Sequence, residues 1–247
     1  MNILLTNDDG ITAPGIAALY KELIKLGSVT VAAPTDGMSG AGHSITVFEP
    51  LECDEVKVEK TFTGYSVSGS PADCVKLAIM ELCPEKPDLV VSGMNHGANV
   101  GINVYYSGTV GAAMEAAFYN IPAIAVSAAH EEKVNFAEAA KHARQTIEKL
   151  LPPVHQGVIN INIPRLSFGT PIGIKVVPQS TTGFEEHYKK KVNKKGKILY
   201  QLSGGGGLEK DSATDSLALF EGFITLTALG CDMTDYKNTE RLHQIFL

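Results

Sequence analysis

Apolar runs of strand length alternate with helical patterns along most of this chain. Residues 2–6 form a short apolar run, residues 14–26 carry apolar side chains at helical spacing, and residues 29–33 form a second β-rich run. A strand, a helix and a strand in this order predict two parallel strands joined by a right-handed crossover. Because the runs are almost continuously apolar, we expect helices on both faces of the sheet, which is a doubly wound α/β architecture.

The same alternation continues along the chain. The further elements that it predicts are helices at 71–82, 108–119 and 135–151 and strands at 88–92 and 123–128. Residues 44–70 interrupt it with β-branched and aromatic side chains, among them Ile45, Thr46 and Val47, which indicates antiparallel strands at an edge of the sheet. A chain of 247 residues that is 44% hydrophobic can bury a large core, so we expect a single domain over residues 1–247 with its α/β core at about 1–165.

The remaining part, at about residues 166–247, is predicted to be strand-rich. Its β-rich runs, the first of which begins just before it, lie at 159–163, 172–177 and 223–226. Residues 184–202 are typical of a protruding β-hairpin arm, with a glycine-bearing turn at 193–197 as its tip. Residues 203–207 are rich in glycine and are predicted to form a hinge.

The charge of the chain limits the partners that it can bind. Its net charge of −6 argues against the broad basic surface that binds long nucleic acids. The lysines of the arm form either a solvated face or an electropositive surface that attracts phosphorylated substrates or lies over a partner subunit; they are Lys189, Lys190, Lys191, Lys194, Lys195 and Lys197. No basic leader precedes an apolar run, and no stretch reaches the roughly 18 apolar residues that span a bilayer. We therefore expect a cytoplasmic protein with no membrane partner.

Polar residues follow three of the predicted strands. In open α/β sheets, ligands bind outside the carboxyl ends of the strands, near the point where the strand order reverses. Asp8 and Asp9 follow the first run, Ser39 lies in the loop after the second, and Asn95 follows the run at 88–92. We therefore expect these four side chains to meet at one rim of the sheet.

The adjacent carboxylates Asp8 and Asp9 are the most informative pair on this rim. Two neighbouring negative charges at a partly desolvated strand end repel each other unless a cation offsets them. With Ser39 and Asn95 as further oxygen donors, the set favours Mg²⁺, Mn²⁺ or Ca²⁺ over zinc or copper. The alternative is a simple turn and helix entry, in which Gly10 turns the chain and a carboxylate caps the helix.

A second candidate site lies at the start of the helix predicted from residue 108. Ser107, Gly108 and Thr109 combine a hydroxyl cap with free backbone amides, which is a ready anion site for a phosphate group. Simple helix capping is the alternative. His43 and His96 lie in glycine-bearing loops of the rim, where each either contacts phosphate or the leaving group or is a hydrogen-bonded structural histidine.

Other catalytic signatures are missing from the sequence. GxxxxGK[ST] and GxGxxG do not occur, which disfavours ATP-loop and dinucleotide binding. HExxH and GxSxG are also missing, which disfavours a zinc protease and a hydrolase with a nucleophile elbow.

Several ordered motifs carry a resemblance to a known family. They are LLTNDDGI at 4–11, SGAGHSIT at 39–46, GSPADCVKLA at 69–78, PDLVVSGMNHGANVG at 87–101, YYSGTVGAAMEA at 105–116, NINIP at 160–164 and TDSLALFEGFITLTAL at 214–229. Together they resemble the SurE family of stationary-phase survival proteins over nearly the full length. Met38 departs from the polar residue usual at its position, and Ser70 replaces a common threonine.

The resemblance implies a Rossmann-like fold and one divalent cation per subunit, Mg²⁺ or Mn²⁺, with Ca²⁺ also able to occupy the site. It implies hydrolysis of nucleoside 5′- and 3′-monophosphates, with polyphosphate as a further substrate. The metal ligands of the family map onto Asp8, Asp9, Ser39 and Asn95, and its phosphate-binding segment maps onto 107–109. It also implies homodimers or homotetramers with exchanged C-terminal segments.

Our leading hypothesis is a metal-dependent phosphomonoesterase in which Asp8, Asn95 and Ser107 are catalytic. Asp8 acts as general base, with covalent attack by Asp8 as an alternative. The further substrate-binding residues that we predict are Gly40, His43 and Asn99. The same rim also suits a non-catalytic module that senses nucleotide or phosphate with the help of a metal, or a hydrolase of another phosphoester or an amide.

Overall fold

A nine-stranded sheet with helices on both faces is the main feature of the computed structural model, which describes residues 1–58, 60–152, 157–181, 186–204 and 213–247. The strands are β1 (Asn2–Thr6), β2 (Ser28–Pro34), β3 (Cys53–Val58), β4 (Phe62–Val67), β5 (Leu89–His96), β6 (Ala123–Ala128), β7 (Val158–Ile163), β8 (Ile174–Val176), β9 (Glu186–Val192), β10 (Ile198–Gly204) and β11 (Ile224–Leu229). The helices are α1 (Pro14–Leu23), α2 (Pro71–Leu77), α3 (Gly108–Phe118), α4 (Phe136–Lys149), α5 (Asp215–Phe220) and α6 (Tyr236–Phe246). Short turns of helix occur at Ala78–Leu82, Gly101–Tyr105 and Leu166–Phe168.

The order of the strands is β3-β4-β2-β1-β5-β6-β7-β11-β8. Neighbours from β4 to β7 are parallel, whereas β3 with β4 and β7 with β11 are antiparallel. The predicted Rossmann-like, mostly parallel sheet is therefore confirmed. The chain passes from β1 outward to β2 on one side and returns to β5 on the other, so the strand order reverses between β1 and β5. Ligands of such sheets bind at this point.

Helices bury apolar side chains on the two faces of the sheet. On one face, α1 and α4 pack together over the strands, with Ile16, Leu19 and Ile147 fully buried. On the other face, α2 and α3 bury Val75 and Val110. Each fully buried side chain of this kind contributes about 1.5–3 kcal/mol. The two cores hold the carboxyl ends of β1 and β5 in fixed positions.

A bulge in β5 is held by the close approach of α1. The pairing of β5 with β6 shifts register between Gly93 and Asn95, so the strand continues to His96 rather than ending at residue 92 as predicted. Gly15 of α1 packs on this bulge, since a Cβ there would lie 2.1 Å from the carbonyl oxygen of Met94.

We expect Gly15→Ala to destabilise the protein by about 1–3 kcal/mol, because the new methyl group overlaps backbone that cannot move freely. In the middle of an ordinary helix, a change from glycine to alanine stabilises by about 0.5–1 kcal/mol. The sign of the change in unfolding free energy therefore distinguishes this close packing from an ordinary helical position. Urea unfolding measures it. Gly173→Ala is the matched control, since its Cβ would lie 3.9 Å from the Phe223 ring. A Gly15→Ala protein as stable as the wild type would contradict this packing.

The segment at 45–47 is not a strand, although its β-branched residues predicted one. Asp73 of α2 accepts hydrogen bonds from the backbone N–H and the hydroxyl of Thr46, at 2.9 and 2.7 Å. Ser70, the N-cap of α2, donates to the carbonyl oxygen of Ser44 at 2.6 Å. Tertiary contacts thus replace sheet hydrogen bonds here, and the antiparallel edge pair consists of β3 and β4 alone.

Several predicted boundaries need smaller corrections. The first helix ends at Leu23 instead of residue 26, β8 is limited to Ile174–Val176, and β11 extends to Leu229. The hairpin arm is confirmed as an antiparallel pair of β9 and β10, with the predicted turn at its tip. Residues 184–185 of the arm and 205–207 of the predicted hinge lie outside the described residues. No helix in the described part of the chain is long and apolar enough to cross a membrane.

Candidate metal and phosphate site

Asp8 lies directly after β1, at the point where the strand order reverses. Asp8 is only 5% exposed, and its Oδ1 accepts a hydrogen bond from the Thr109 hydroxyl at 2.5 Å. Gly10 follows with φ of +97°, and the Asn7 side chain donates to the Gly10 carbonyl oxygen at 2.8 Å. The chain therefore turns immediately after the acidic pair, as joint use of both carboxylates requires.

Asp9 connects the acidic pair to the end of β5. Its Oδ2 accepts a hydrogen bond from the backbone N–H of His96 at 3.1 Å. Asn95 precedes His96, and its side-chain Nδ2 donates to the Gly97 carbonyl oxygen at 2.7 Å. This bond fixes the amide with its nitrogen engaged, which leaves the oxygen Oδ1 as the atom able to bind a cation.

The loop that carries Ser39 is joined to the acidic pair through the backbone. The N–H of Met38 donates to the carbonyl oxygen of Asp8 at 2.7 Å, and the N–H of Gly42 donates to that of Tyr106 at 3.0 Å. Ser39 lies between these two bonds and is exposed. Its hydroxyl is therefore carried on a loop held against both β1 and the residues before α3.

The N-terminus of α3 approaches Asp8 very closely. A Cβ at Gly108 would lie 2.9 Å from Asp8 Cβ and 3.1 Å from Pro71 Cγ. Ser107 caps the helix, since its hydroxyl oxygen accepts from the N–H of Val110 at 3.1 Å. The first N–H groups of a helix have no partner within the helix, and the helix dipole makes them attractive to anions. The positive end of a helix dipole and two carboxylates thus lie side by side.

The electrostatics of the pair are dominated by burial. Burial raises the pKa of the Asp8 carboxyl, the negative charge of Asp9 raises it further, and the hydrogen bond from Thr109 opposes both. A raised pKa means that the folded protein disfavours the ionised carboxylate. A cation held by Asp8 and Asp9 would remove this penalty.

We expect Asp8→Asn to raise the Tm of the metal-free protein at pH 7. Because the folded-state pKa of Asp8 is raised, stability is greatest below the ordinary carboxyl pKa and is lost as the pH rises through the folded-state value. Removing the ionised group is worth about 2–4 °C, the shift that ~1 kcal/mol produces in a domain of this size. Thermal unfolding in EDTA across pH measures it, and the gain should shrink toward low pH. A lower Tm for Asp8→Asn at pH 7 would contradict the burial argument.

His43 lies against α3, where it makes contacts that the sequence did not reveal. Its Nε2 is 2.8 Å from Oε2 of Glu115, its ring stacks on Phe118 at 5.2 Å, and Glu115 also binds Lys76 at 2.5 Å. Glu115 is 2% exposed. The structure thus engages His43, which is itself exposed, in a hydrogen-bonded cluster around the buried Glu115. The sequence feature that could have identified Glu115 is a lone acidic residue in an otherwise alanine-rich helix.

Asn99 is fixed by the neighbouring strands. Its N–H donates to Asn162 Oδ1 and its Nδ2 to Ser127 Oγ, both at 2.8 Å, and its carbonyl oxygen accepts from Asn160 Nδ2 at 2.7 Å. These bonds hold the loop after β5 against β6 and β7. Two asparagines in a buried apolar strand were the sequence signal for this network.

Gly40, with φ of +78°, lies in the exposed loop beside Ser39.

Comparisons with known proteins agree with this fold. A family model described as survival protein SurE matches residues 3–186. The chain belongs to the SurE family. Among its SurE relatives, the protein named 5′-nucleotidase SurE from Desulfitobacterium hafniense is 44% identical over 99% of this chain and 96% of its own. The one of the same name from Syntrophobacter fumaroxidans is 42% identical over 98% of each.

A solved SurE structure shares the whole architecture. The crystal structure of the SurE protein from Aquifex aeolicus superimposes with a TM-score of 0.86 at 37% identity, and the match covers 100% of both chains. The predicted membership of the SurE family and its Rossmann-like fold are therefore confirmed. The part of the chain that carries Asp8, Asn95 and Ser107 lies within the range that the family model matches.

Proposed function

We propose that this protein is a divalent-metal-dependent phosphomonoesterase that hydrolyses nucleoside 5′- and 3′-monophosphates, with polyphosphate as a further substrate. The observation that carries the proposal is the contact between a buried carboxylate, Asp8, and the N-terminus of α3 at the switch point of the sheet. Such a site combines a cation position with an anion position, which is what a phosphate ester and its metal require. The names of the relatives as 5′-nucleotidases support the same substrate class.

The donor set fits a hard divalent cation such as Mg²⁺ or Mn²⁺. Asp8 and Asp9 provide carboxylates, Asn95 an amide oxygen and Ser39 a hydroxyl, all of them oxygen ligands. The raised pKa of Asp8, which burial and the charge of Asp9 cause, supports this assignment, because a cation would offset the unfavourable ionised form. When bound, the cation supplies Lewis acidity at the phosphoryl group. Ca²⁺ fits the same donors.

The phosphate group is assigned to the first turn of α3. The backbone N–H of Gly108 lies at this end of the helix, whereas that of Thr109 already donates to the Asp8 carboxylate. The Ser107 hydroxyl has a proton left to donate, because its oxygen is the acceptor from Val110. Fixed donors aimed at the equatorial oxygens stabilise charge that develops during phosphoryl transfer. We assign Gly40, on the Ser39 loop, to the same group.

Asp8 is the proposed general base. The Thr109 hydroxyl orients its Oδ1, and burial keeps its pKa above the ordinary value, which makes it a better proton acceptor than an exposed aspartate. Covalent attack by Asp8 is the alternative with the same residues. The contacts that hold His43 and Asn99 favour positioning of the surrounding loops over direct contact with phosphate.

A panel of phosphoesters assayed with EDTA, Mg²⁺, Mn²⁺ and Ca²⁺ tests the proposal. We expect phosphate release from nucleoside monophosphates that EDTA abolishes and that Mn²⁺ or Mg²⁺ restores. The rival function, a nucleotide or phosphate sensor, predicts binding of nucleotide and metal with no release under any cation. Release that survives exhaustive EDTA treatment would contradict the metal site.

We further propose that the chain forms a homodimer or homotetramer with exchanged C-terminal segments. Every residue of α6 is exposed, although Leu242, Ile245 and Phe246 form an apolar stripe at helical spacing. An amphipathic helix needs a surface to cover such a stripe. Light scattering after gel filtration should show a dimer or larger assembly, which Ile245→Glu weakens. A wild-type monomer at micromolar concentration would contradict it.

A further inference from the structure

A concave cavity of about 550 Å³ opens beside the proposed metal site, on the side of β6 and β7. It is bordered by the residues that follow these strands, His130 to Lys133 after β6 and Arg165 to Phe168 after β7. The size is that of a small-molecule site. Because all these residues follow the carboxyl ends of parallel strands, the cavity lies on the same rim as Asp8 and Asp9.

His96 links the cavity to the metal site directly. Its backbone N–H binds the Asp9 carboxylate at 3.1 Å, and its Nε2 lies 3.3 Å from the carbonyl oxygen of Glu131 on the cavity wall. Its ring stacks on the ring of His130 at 4.8 Å. A single residue, His96, thus contacts both the Asp9 carboxylate and the cavity wall.

Phe168 gives the cavity an aromatic wall. The residue is 83% exposed, and the guanidinium of Arg165 lies 5.9 Å from its ring centroid. Arg165 is itself fixed, because its Nε donates to the His130 carbonyl oxygen at 3.1 Å. An exposed phenylalanine beside a fixed arginine is the kind of surface on which nucleobases stack in a sequence-tolerant way.

A second cavity, of about 480 Å³, is the rival location. It lies between α2 and α3 and is lined by His43, Glu115 and Phe118. Glu115 is eight residues beyond Ser107 along α3, so the cavity is roughly 12 Å from the phosphate end of the helix. Its histidine and acid already bind each other. Among the hydrogen bonds of the described residues, none joins a residue that lines this cavity to Asp8 or Asp9.

We propose that the cavity bordered by His130 and Phe168 is the base subsite of the enzyme, in which the base of a nucleoside monophosphate stacks on Phe168. The inference rests on the proposed function. It gives Phe168 a role in specificity that nothing in the family motifs of the chain assigns. Stacking predicts that several bases are accepted, because every base offers a π face.

The test compares a substrate that carries a nucleobase with a substrate that lacks one. We expect Phe168→Ala to lower the ratio of kcat/KM for adenosine monophosphate to kcat/KM for ribose 5-phosphate by about tenfold, chiefly through KM. Phe168→Tyr should keep the ratio, because the ring is retained. Phe118→Ala, a phenylalanine in the rival cavity, should also keep it.

The possible outcomes distinguish failure of the base subsite from failure of the proposed function. An unchanged ratio in Phe168→Ala, or a fall in Phe118→Ala instead, would overturn the base subsite while leaving the phosphatase intact. A wild type that releases phosphate from neither substrate would overturn the proposed function itself. Photolabelling of the wild type with an azido-adenosine monophosphate gives a check without variants. The label is expected on residues 130–133 or 165–168, and labelling confined to residues 43–45 or 118–119 would overturn the subsite.

Discussion

Asp8→Asn is expected to lower kcat for nucleoside monophosphate hydrolysis by about 10³-fold or more, within the range that loss of a positioned acid or base produces. The change keeps the shape of the side chain and its hydrogen bond from Thr109. It removes the negative charge that we propose binds the cation and the basic oxygen that we propose accepts a proton. Phosphate release under saturating Mn²⁺ measures the loss.

The control for Asp8→Asn is the same chemical change at an exposed site. Asp54 on β3 is exposed and far along the sheet from β1, so Asp54→Asn should keep full activity. The metal-free Asp8→Asn protein is expected to be more stable than the wild type, which separates loss of function from loss of fold. Near-normal activity of Asp8→Asn would remove Asp8 from the mechanism.

Gly108→Ala is expected to lower kcat/KM by about 100-fold, the loss that a displacement of ~1 Å at a reacting group can cause. A methyl group at Gly108 would lie 2.9 Å from Asp8 Cβ and 3.2 Å from its Oδ2. Because Pro71 closes the other side at 3.1 Å, the strain must move Asp8 or the start of α3. Either movement separates the carboxylate from the anion site.

Gly230→Ala is the matched control, since a Cβ there meets nothing within 4 Å. It should match the wild type in kcat/KM and in Tm. The prediction for Gly108 fails if Gly108→Ala retains wild-type kcat/KM. A loss of activity that merely follows global unfolding would also fail to support it, so the Tm of each variant is measured beside its kinetics.

The fold was largely predictable because its signals are local and repeated. The alternation of apolar runs with helical patterns predicted the parallel sheet, and the switch-point rule brought the residues after β1 and β5 together before any contact was known. The structure places the Asp9 carboxylate against the His96 backbone as that rule requires. The roles of Asp8, Asp9, Ser39 and Asn95 as ligands stay predictions.

The errors arise where distant residues override local preference. Thr46 and its β-branched neighbours favour a strand, but Asp73 binds Thr46 from α2, 27 residues further along. His43 is likewise engaged by Glu115, 72 residues away. Such pairings depend on which loops meet in space. A single residue such as Glu115 can stand out in the sequence, but the pattern does not indicate its partner. The cavity beside Phe168 was missed for the same reason.

The position of a bound cation tests the central claim most directly. Crystals grown with Mn²⁺ should give an anomalous peak in contact with the carboxylates of Asp8 and Asp9, the Asn95 amide oxygen and the Ser39 hydroxyl. Oxygen ligands at about 2.0–2.6 Å are expected for hard divalent cations. No peak at the acidic pair, or a peak at Glu115 and His43 instead, would contradict the account.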